Sequence, residues 1–120
     1  MKCLDTYALV EIALANEKFS SLLTDEILIT DITMAEFYYV ILQKYNQPTA
    51  DYWYKRLSHY CSQVPIRILV KAVIFRHENK KKKLSFFDCV GYIFSQENKH
   101  TFVTGDKEFE KLDGVLFISK

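Results

Sequence analysis

The stretch Lys83–Phe109, KLSFFDCVGYIFSQENKHTFVTGDKEF, decides how this chain folds. Ser85 opens a helix that runs to about Lys99, with Phe87, Val90 and Phe94 on one stripe at helical spacing. Thr101–Thr104 is β-branched and aromatic, which is strand chemistry. Beyond it, Lys107–Leu112 predicts a short helix stopped by Gly114, and Val115–Ile118 predicts a last strand.

The same alternation extends toward the N-terminus. Lys2–Leu4 predicts a short strand ending at Asp5, followed by a helix over Ala8–Asn16 and a second helical piece to about Leu23. Ile27–Ile32 is apolar almost without interruption, as a strand buried on both faces would be. Thr33 predicts the start of a long helix to about Tyr45, and Pro48 the start of another to about Ser62. Pro65–Ile68 predicts a third strand and Val70–Asn79 a helix. Strands alternating with helices make the fold class α/β, a central and mainly parallel sheet of about five short strands covered on both faces.

Bulk properties agree. A chain of 120 residues is one domain's length, so the expectation is a single domain over residues 1–120. Hydrophobic residues make up 49% and charged residues 26%, which argues for a globular chain and against disorder. Eight Tyr and nine Phe are a heavy aromatic load, either a thick aromatic core or aromatic surface left for a partner. Cys3, Cys61 and Cys89 are an odd, scattered set without a CxxC pair, read as buried thiols of a reducing compartment. Asp5 and Glu11 interrupt the apolar N-terminus, which a signal peptide would not tolerate. No apolar run approaches the roughly 18 residues needed to span a bilayer. The expected location is the cytoplasm, away from any membrane.

In a parallel sheet, ligands bind beyond the carboxyl ends of the strands, where strand order reverses. Asp5 ends the first predicted strand, and Asp106 follows Thr101–Thr104 across a Thr-Gly step. Glu36 and Asp88 fall in the first turns of the helices predicted to start at Thr33 and Ser85. Each acid has an ordinary role open to it. Thr33-x-x-Glu36 and Ser85-x-x-Asp88 match the capping box, and Asp5 and Asp106 suit helix starts. Four carboxylates converging on one sheet edge, however, repel one another unless a cation compensates. Oxygen ligands suit Mg²⁺ or Mn²⁺, ions that activate water in phosphodiester cleavage. Spacing alone does not force Asp88 to that edge, because a predicted helix precedes its own.

The ordered segments LDTYALVEI, ITDITMAEFYYV and KLSFFDCVGYIFSQENKHTFVTGDKEF resemble the PIN domain, the nuclease module of VapC-type toxins, over nearly the whole chain. The resemblance implies a PIN-like three-layer sandwich and RNA cleavage by metal-activated water. It implies that Asp5, Glu36, Asp88 and Asp106 hold one or two Mg²⁺ or Mn²⁺ ions, with Thr104 hydrogen-bonded behind the last acid. It also implies a VapB-like antitoxin as partner. One departure stands out: after Asp-Thr the family carries a small polar Asn or Ser, whereas this chain has Tyr7. Tyr7 favours the alternative of a catalytically degenerate PIN domain that binds RNA or protein without cutting.

The net charge of +1 gives no global field for nucleic acid, so attraction must be local. Lys80, Lys81, Lys82 and Lys83, after Arg76 and His77, form the one basic cluster, read as RNA contact or as a solvated loop. His59, His77 and His100 show no metal-ligand spacing, and Glu108 reads as surface charge or as an auxiliary acid. Phe37–Leu42 is apolar all around its helix; with Tyr52, Trp53, Tyr54 and Tyr60 it predicts a docking face for a homodimer or an inhibitor peptide. A phosphotransfer domain requires an acidic pair or Asp-x-Asp after the first strand, where this chain has Asp5-Thr6-Tyr7.

Overall fold

A computed structural model describes residues 1–119. Its strands are β1 (Lys2–Leu4), β2 (Ile27–Thr30), β3 (Cys61–Ser62), β4 (Thr101–Thr104) and β5 (Val115–Phe117). All pairings are parallel, in the order β3–β2–β1–β4–β5. The helices are α1 (Thr6–Ala13), α2 (Glu17–Ser20), α3 (Asp31–Lys44), α4 (Gln47–Leu57), α5 (Ile66–Glu78) and α6 (Phe86–Glu97).

Side chains alternate across each strand, which divides the core in two. Leu4, Ile27, Ile29 and Val103 pack under α1, α3 and α4, with Leu9, Phe37, Ile41 and Leu57. Cys3, Leu28 and Phe102 face the opposite way, against Ile68 and Ala72 of α5 and Cys89 and Val90 of α6. Helices therefore cover both faces of the sheet, the three-layer arrangement expected from the alternation. Aromatic residues fill much of the second layer: Phe102 and Phe109 stand 5.5 Å apart, each in contact with Tyr92.

Three elements differ from the sequence reading. The helix expected at Thr33 begins at Asp31, because Thr30 is the cap and its hydroxyl accepts from the Thr33 amide at 3.0 Å. Thr33 is instead buried and hydrogen-bonded to Thr30 through its hydroxyl. The strand expected at Pro65–Ile68 lies at Cys61–Ser62, and Pro65 caps α5. The β-branched run after Pro65 has helical burial: Ile68 and Ala72 are buried one turn apart, while Ile66, Val70, Val73 and Ile74 are exposed. At the C-terminal end, the helix expected over Lys107–Leu112 is a single 3₁₀ turn, Lys107–Phe109.

Candidate functional site

The chain leaves β1 for β2 and β3 on one side of the sheet, while β4 and β5 lie on the other. The reversal of strand order thus falls between β1 and β4, and the residues following these strands share one crevice. Asp5 follows β1 directly. Its amide donates to the Val103 carbonyl at 3.1 Å, and its Oδ1 accepts from the Ala8 amide at 2.8 Å, capping α1. Its other carboxylate oxygen, Oδ2, is buried without a hydrogen-bond partner.

Asp106 follows β4 across Gly105. Its amide donates to Thr104 Oγ1 at 3.0 Å and its Oδ1 accepts from the Glu108 amide at 2.9 Å. Glu36 lies in the second turn of α3, so the capping role open to it in the sequence does not apply. The Thr6 hydroxyl donates to Glu36 Oε1, drawing this carboxylate toward the end of β1. Asp88 lies in the first turn of α6, where Ser85 is the cap and accepts from the Asp88 amide at 3.0 Å. What carries α6 to this edge is Gly91. A Cβ there would stand 2.7 Å from the Phe102 ring, so its absence lets the helix lie tightly over β4.

The four acids act on one another electrostatically. Burial, then the charge of Asp88, pushes the Asp5 carboxyl up to about 8; Asp106 adds to the rise, while Thr104 and the Ala8 amide oppose it. Burial, then Glu36 and Asp106, raises Asp88 to about 7. Every acid is named in this pattern of repulsion, whose physical meaning is an excess of negative charge in a poorly hydrated crevice.

An unpartnered buried oxygen and the raised carboxyls of Asp5 and Asp88 are the donor chemistry a hard divalent cation neutralises. Among the described residues, no three His, Cys, Asp or Glu side chains form a ready coordination group. Asp5 and Asp106 are each held by a helix-start amide, and Glu36 by the Thr6 hydroxyl. The residue types and their placement fit such an ion.

Several neighbours escaped the sequence reading. Thr6 was visible only as the middle of Asp-Thr-Tyr, with no sign of its tie to Glu36. Gly105 mattered to it only as a step between Thr104 and Asp106, yet the Tyr7 ring lies against it, where a Cβ would stand 2.1 Å from Cε1. The ring also packs edge-on against Phe19 at 5.7 Å. Glu108 is exposed on its 3₁₀ turn. The lysine run forms a 3₁₀ turn, Lys80–Lys82, followed by Lys83 with left-handed backbone at φ 55°. His59 packs on Tyr60 and His100 on Phe94, ring contacts at the surface and core edge.

No helix among the described residues is long and apolar enough to cross a membrane. No curated protein matches the sequence at a significant level. Solved structures similar to the chain include a VapC toxin of Mycobacterium tuberculosis described as cleaving the sarcin–ricin loop. It has a TM-score of 0.82 at 13% identity, covering 100% of this chain and 98% of that one. A toxin–antitoxin complex from Klebsiella pneumoniae gives a TM-score of 0.78 at 17% identity over the full length of both chains. The VapBC2 complex of Rickettsia felis, bound to a DNA fragment from its promoter, gives 0.72 at 19% identity over 99% of this chain and 98% of that one. At these identities the likeness establishes the fold. The family model of the PIN domain matches residues 2–115, nearly the whole length, and this chain belongs to the PIN domain family.

Proposed function

We propose that this chain is a metal-dependent ribonuclease that cleaves RNA phosphodiester bonds, the toxin of a toxin–antitoxin pair working in the cytoplasm as one domain over residues 1–120. The observation supporting this most strongly is the gathering of four carboxylates at the switch point, one with a buried oxygen lacking any partner. Asp5, Glu36, Asp88 and Asp106 would hold one or two Mg²⁺ or Mn²⁺ ions. When bound, the metal would activate water for attack on phosphorus and shield the phosphate charge.

The chain's own groups prepare that chemistry. Asp5 is locked by the Ala8 amide, so Oδ2 faces the crevice without a side-chain search. Thr6 orients Glu36, and Thr104 holds the amide of Asp106. Asp5 and Asp88, raised toward neutrality, are the groups that give up protons as the site loads.

A VapB-like antitoxin is the proposed partner, supported by the toxin–antitoxin complexes among the similar structures. The hollow between α3 and α4, about 640 Å³ and lined by Met34, Ala35, Tyr38 and Tyr54, offers it an aromatic groove. A homodimer is expected as well, through the exposed part of the aromatic face of α3 and α4, which includes Tyr39, Leu42 and Tyr52. A monodisperse monomer by light scattering at high concentration would count against it.

The deciding experiment is RNA cleavage with Mg²⁺ or Mn²⁺ by the parent, Asp5→Asn and Asp88→Asn proteins. Loss of at least about 10²-fold in both variants is expected, as for groups that hold charge in the transition state. Equal cutting by both variants and the parent would overturn the reading. A parent that binds RNA and never cuts it would instead establish the binding-only domain that Tyr7 raises.

A further inference from the structure

At the start of α6, the helix that carries Asp88, lies a hollow of about 400 Å³ lined by Arg76, His77, Lys80 and Lys83, with Val73, Leu84 and Phe86 as its apolar wall. Among the described residues, none of these four basic side chains forms an ion pair; the ion pairs are Lys2–Asp25, Arg67–Glu97 and Lys71–Glu97. Arg76 is held in place, its Nε donating to the Leu84 carbonyl at 2.8 Å, which leaves the terminal guanidinium nitrogens for another acceptor. Lys83 has left-handed backbone, a conformation that glycine or asparagine would adopt more cheaply.

The lysine run is divided by its own turn. Lys81 and Lys82 line a separate hollow with Glu78 and Asn79, where an acid already faces them. Lys83 lines the hollow of Arg76, and Lys80 borders both. The start of α6 separates this basic hollow from the acids. Phe86 lines the hollow, and Asp88, two residues on, projects from another side of the helix.

We infer that the hollow of Arg76, His77, Lys80 and Lys83 is a nucleotide subsite that grips a backbone phosphate of single-stranded RNA next to the bond being cut, with the Phe86 ring under a base. It rests on the ribonuclease reading for its substrate, and it answers how a chain of net charge +1 holds a polyanion beside four carboxylates. Cations bind the phosphate, aromatic surface accepts any base, and the strand passes over the first turn of α6 into the acidic crevice.

The test is fluorescence anisotropy of a short, labelled, mixed-sequence single-stranded RNA in EDTA, so that no cleavage intervenes. The parent is compared with Lys80→Ala/Lys83→Gly, where glycine keeps the left-handed turn, and with Lys81→Ala/Lys82→Ala, which removes the same charge. The first pair is expected to weaken binding roughly tenfold and to flatten the salt dependence by about 0.7 log units per log unit of salt, one phosphate contact's worth. The second pair is expected to bind within about twofold of the parent. Equal loss in both pairs, loss in neither, or no RNA binding by the parent at low salt would overturn the subsite. A parent that cuts no RNA while the first pair still weakens binding would remove the ribonuclease reading and leave the subsite standing. Cutting and binding unchanged in the first pair would do the reverse.

Discussion

The Tyr7 ring occupies the space a side chain on Gly105 would need: a Cβ there would meet Cε1 at 2.1 Å and Cδ1 at 2.3 Å. Two features of the sequence that look unrelated, a bulky residue after Asp-Thr and a glycine between Thr104 and Asp106, are therefore one packing solution. The ring cannot retreat easily, since Phe19 meets it edge-on at 5.7 Å. Gly105→Ala is expected to destabilise the fold by roughly 1–3 kcal/mol, the range for overpacking. Tyr7→Ser in the same protein should recover much of that loss. Urea denaturation of the four proteins in the cycle checks it; strict additivity would mean the ring and residue 105 do not compete for space.

Thr6→Val tests the orientation of Glu36. It removes the hydroxyl that donates to Glu36 Oε1 while keeping the volume of the side chain. The expected cost in stability is about 1 kcal/mol, while cleavage falls by roughly one to two orders of magnitude, because a freed carboxylate is misplaced. Thr6→Ser, which restores the hydroxyl, should recover most of the rate. Equal activity in Thr6→Val and the parent would show that Glu36 needs no such support.

The acidic crevice gives an unusual pH dependence. Asp5 and Asp88 are raised from 3.8 to about 8 and about 7 by burial and by neighbouring carboxylates. A carboxyl raised in the folded state contributes stability that is complete below its unfolded value and lost as pH climbs through the folded one. Without metal, these two groups make the protein progressively less stable from about pH 4 to about pH 8. Mn²⁺ replaces the protons, so the rise in Tm that it causes should be larger at about pH 8 than at about pH 5.5. Scanning calorimetry with and without Mn²⁺ measures this, and a metal effect independent of pH would refute it.

Asp88→Asn separates stability from activity. Removing one of the repelling charges should raise Tm without metal by several degrees near pH 8, on the order of 1 kcal/mol, while reducing the stabilisation by Mn²⁺. A drop in Tm together with an undiminished Mn²⁺ effect would mean that Asp88 is a structural cap alone.

The three cysteines differ in reactivity. Burial pushes the Cys3 thiol up to about 12 and Cys89 up to about 11, with Asp5 adding to the first and Asp88 to the second. Cys61 is half-buried and raised by burial and by Asp31. A thiol-specific reagent at about pH 8 should label Cys61 slowly in the folded protein and all three after denaturation. Fast labelling of Cys3 or Cys89 would reveal local opening of the sheet.

Much of the molecule was legible in its residues. Asp5 and Asp106 could be placed at strand ends because β1 and β4 are short, β-branched or apolar, and followed at once by polar residues. Ser85 was legible as a cap because a hydroxyl three residues before an acid carries its own local geometry. A capping role stood open for Glu36 because Ile27–Ile32, broken only by Thr30 and Asp31, reads as one strand, and only the Thr30–Thr33 bonds reveal that the helix starts sooner. β3 was misplaced because two residues carry no period, while Ile66–Val70 has strand composition on a helix.

By itself, the order of residues determined the α/β class and the alternation of helices with parallel strands, because hydrophobic period and local capping act over a few neighbours. Only the tertiary structure decided that Asp88 joins the others, through Gly91 lying close over Phe102. It alone turned Glu36 toward Thr6, divided the lysine run between two hollows and matched Tyr7 to Gly105. Each of these joins residues distant in the chain or on different turns, and depends on which surfaces exclude water together, a quantity that no local pattern encodes.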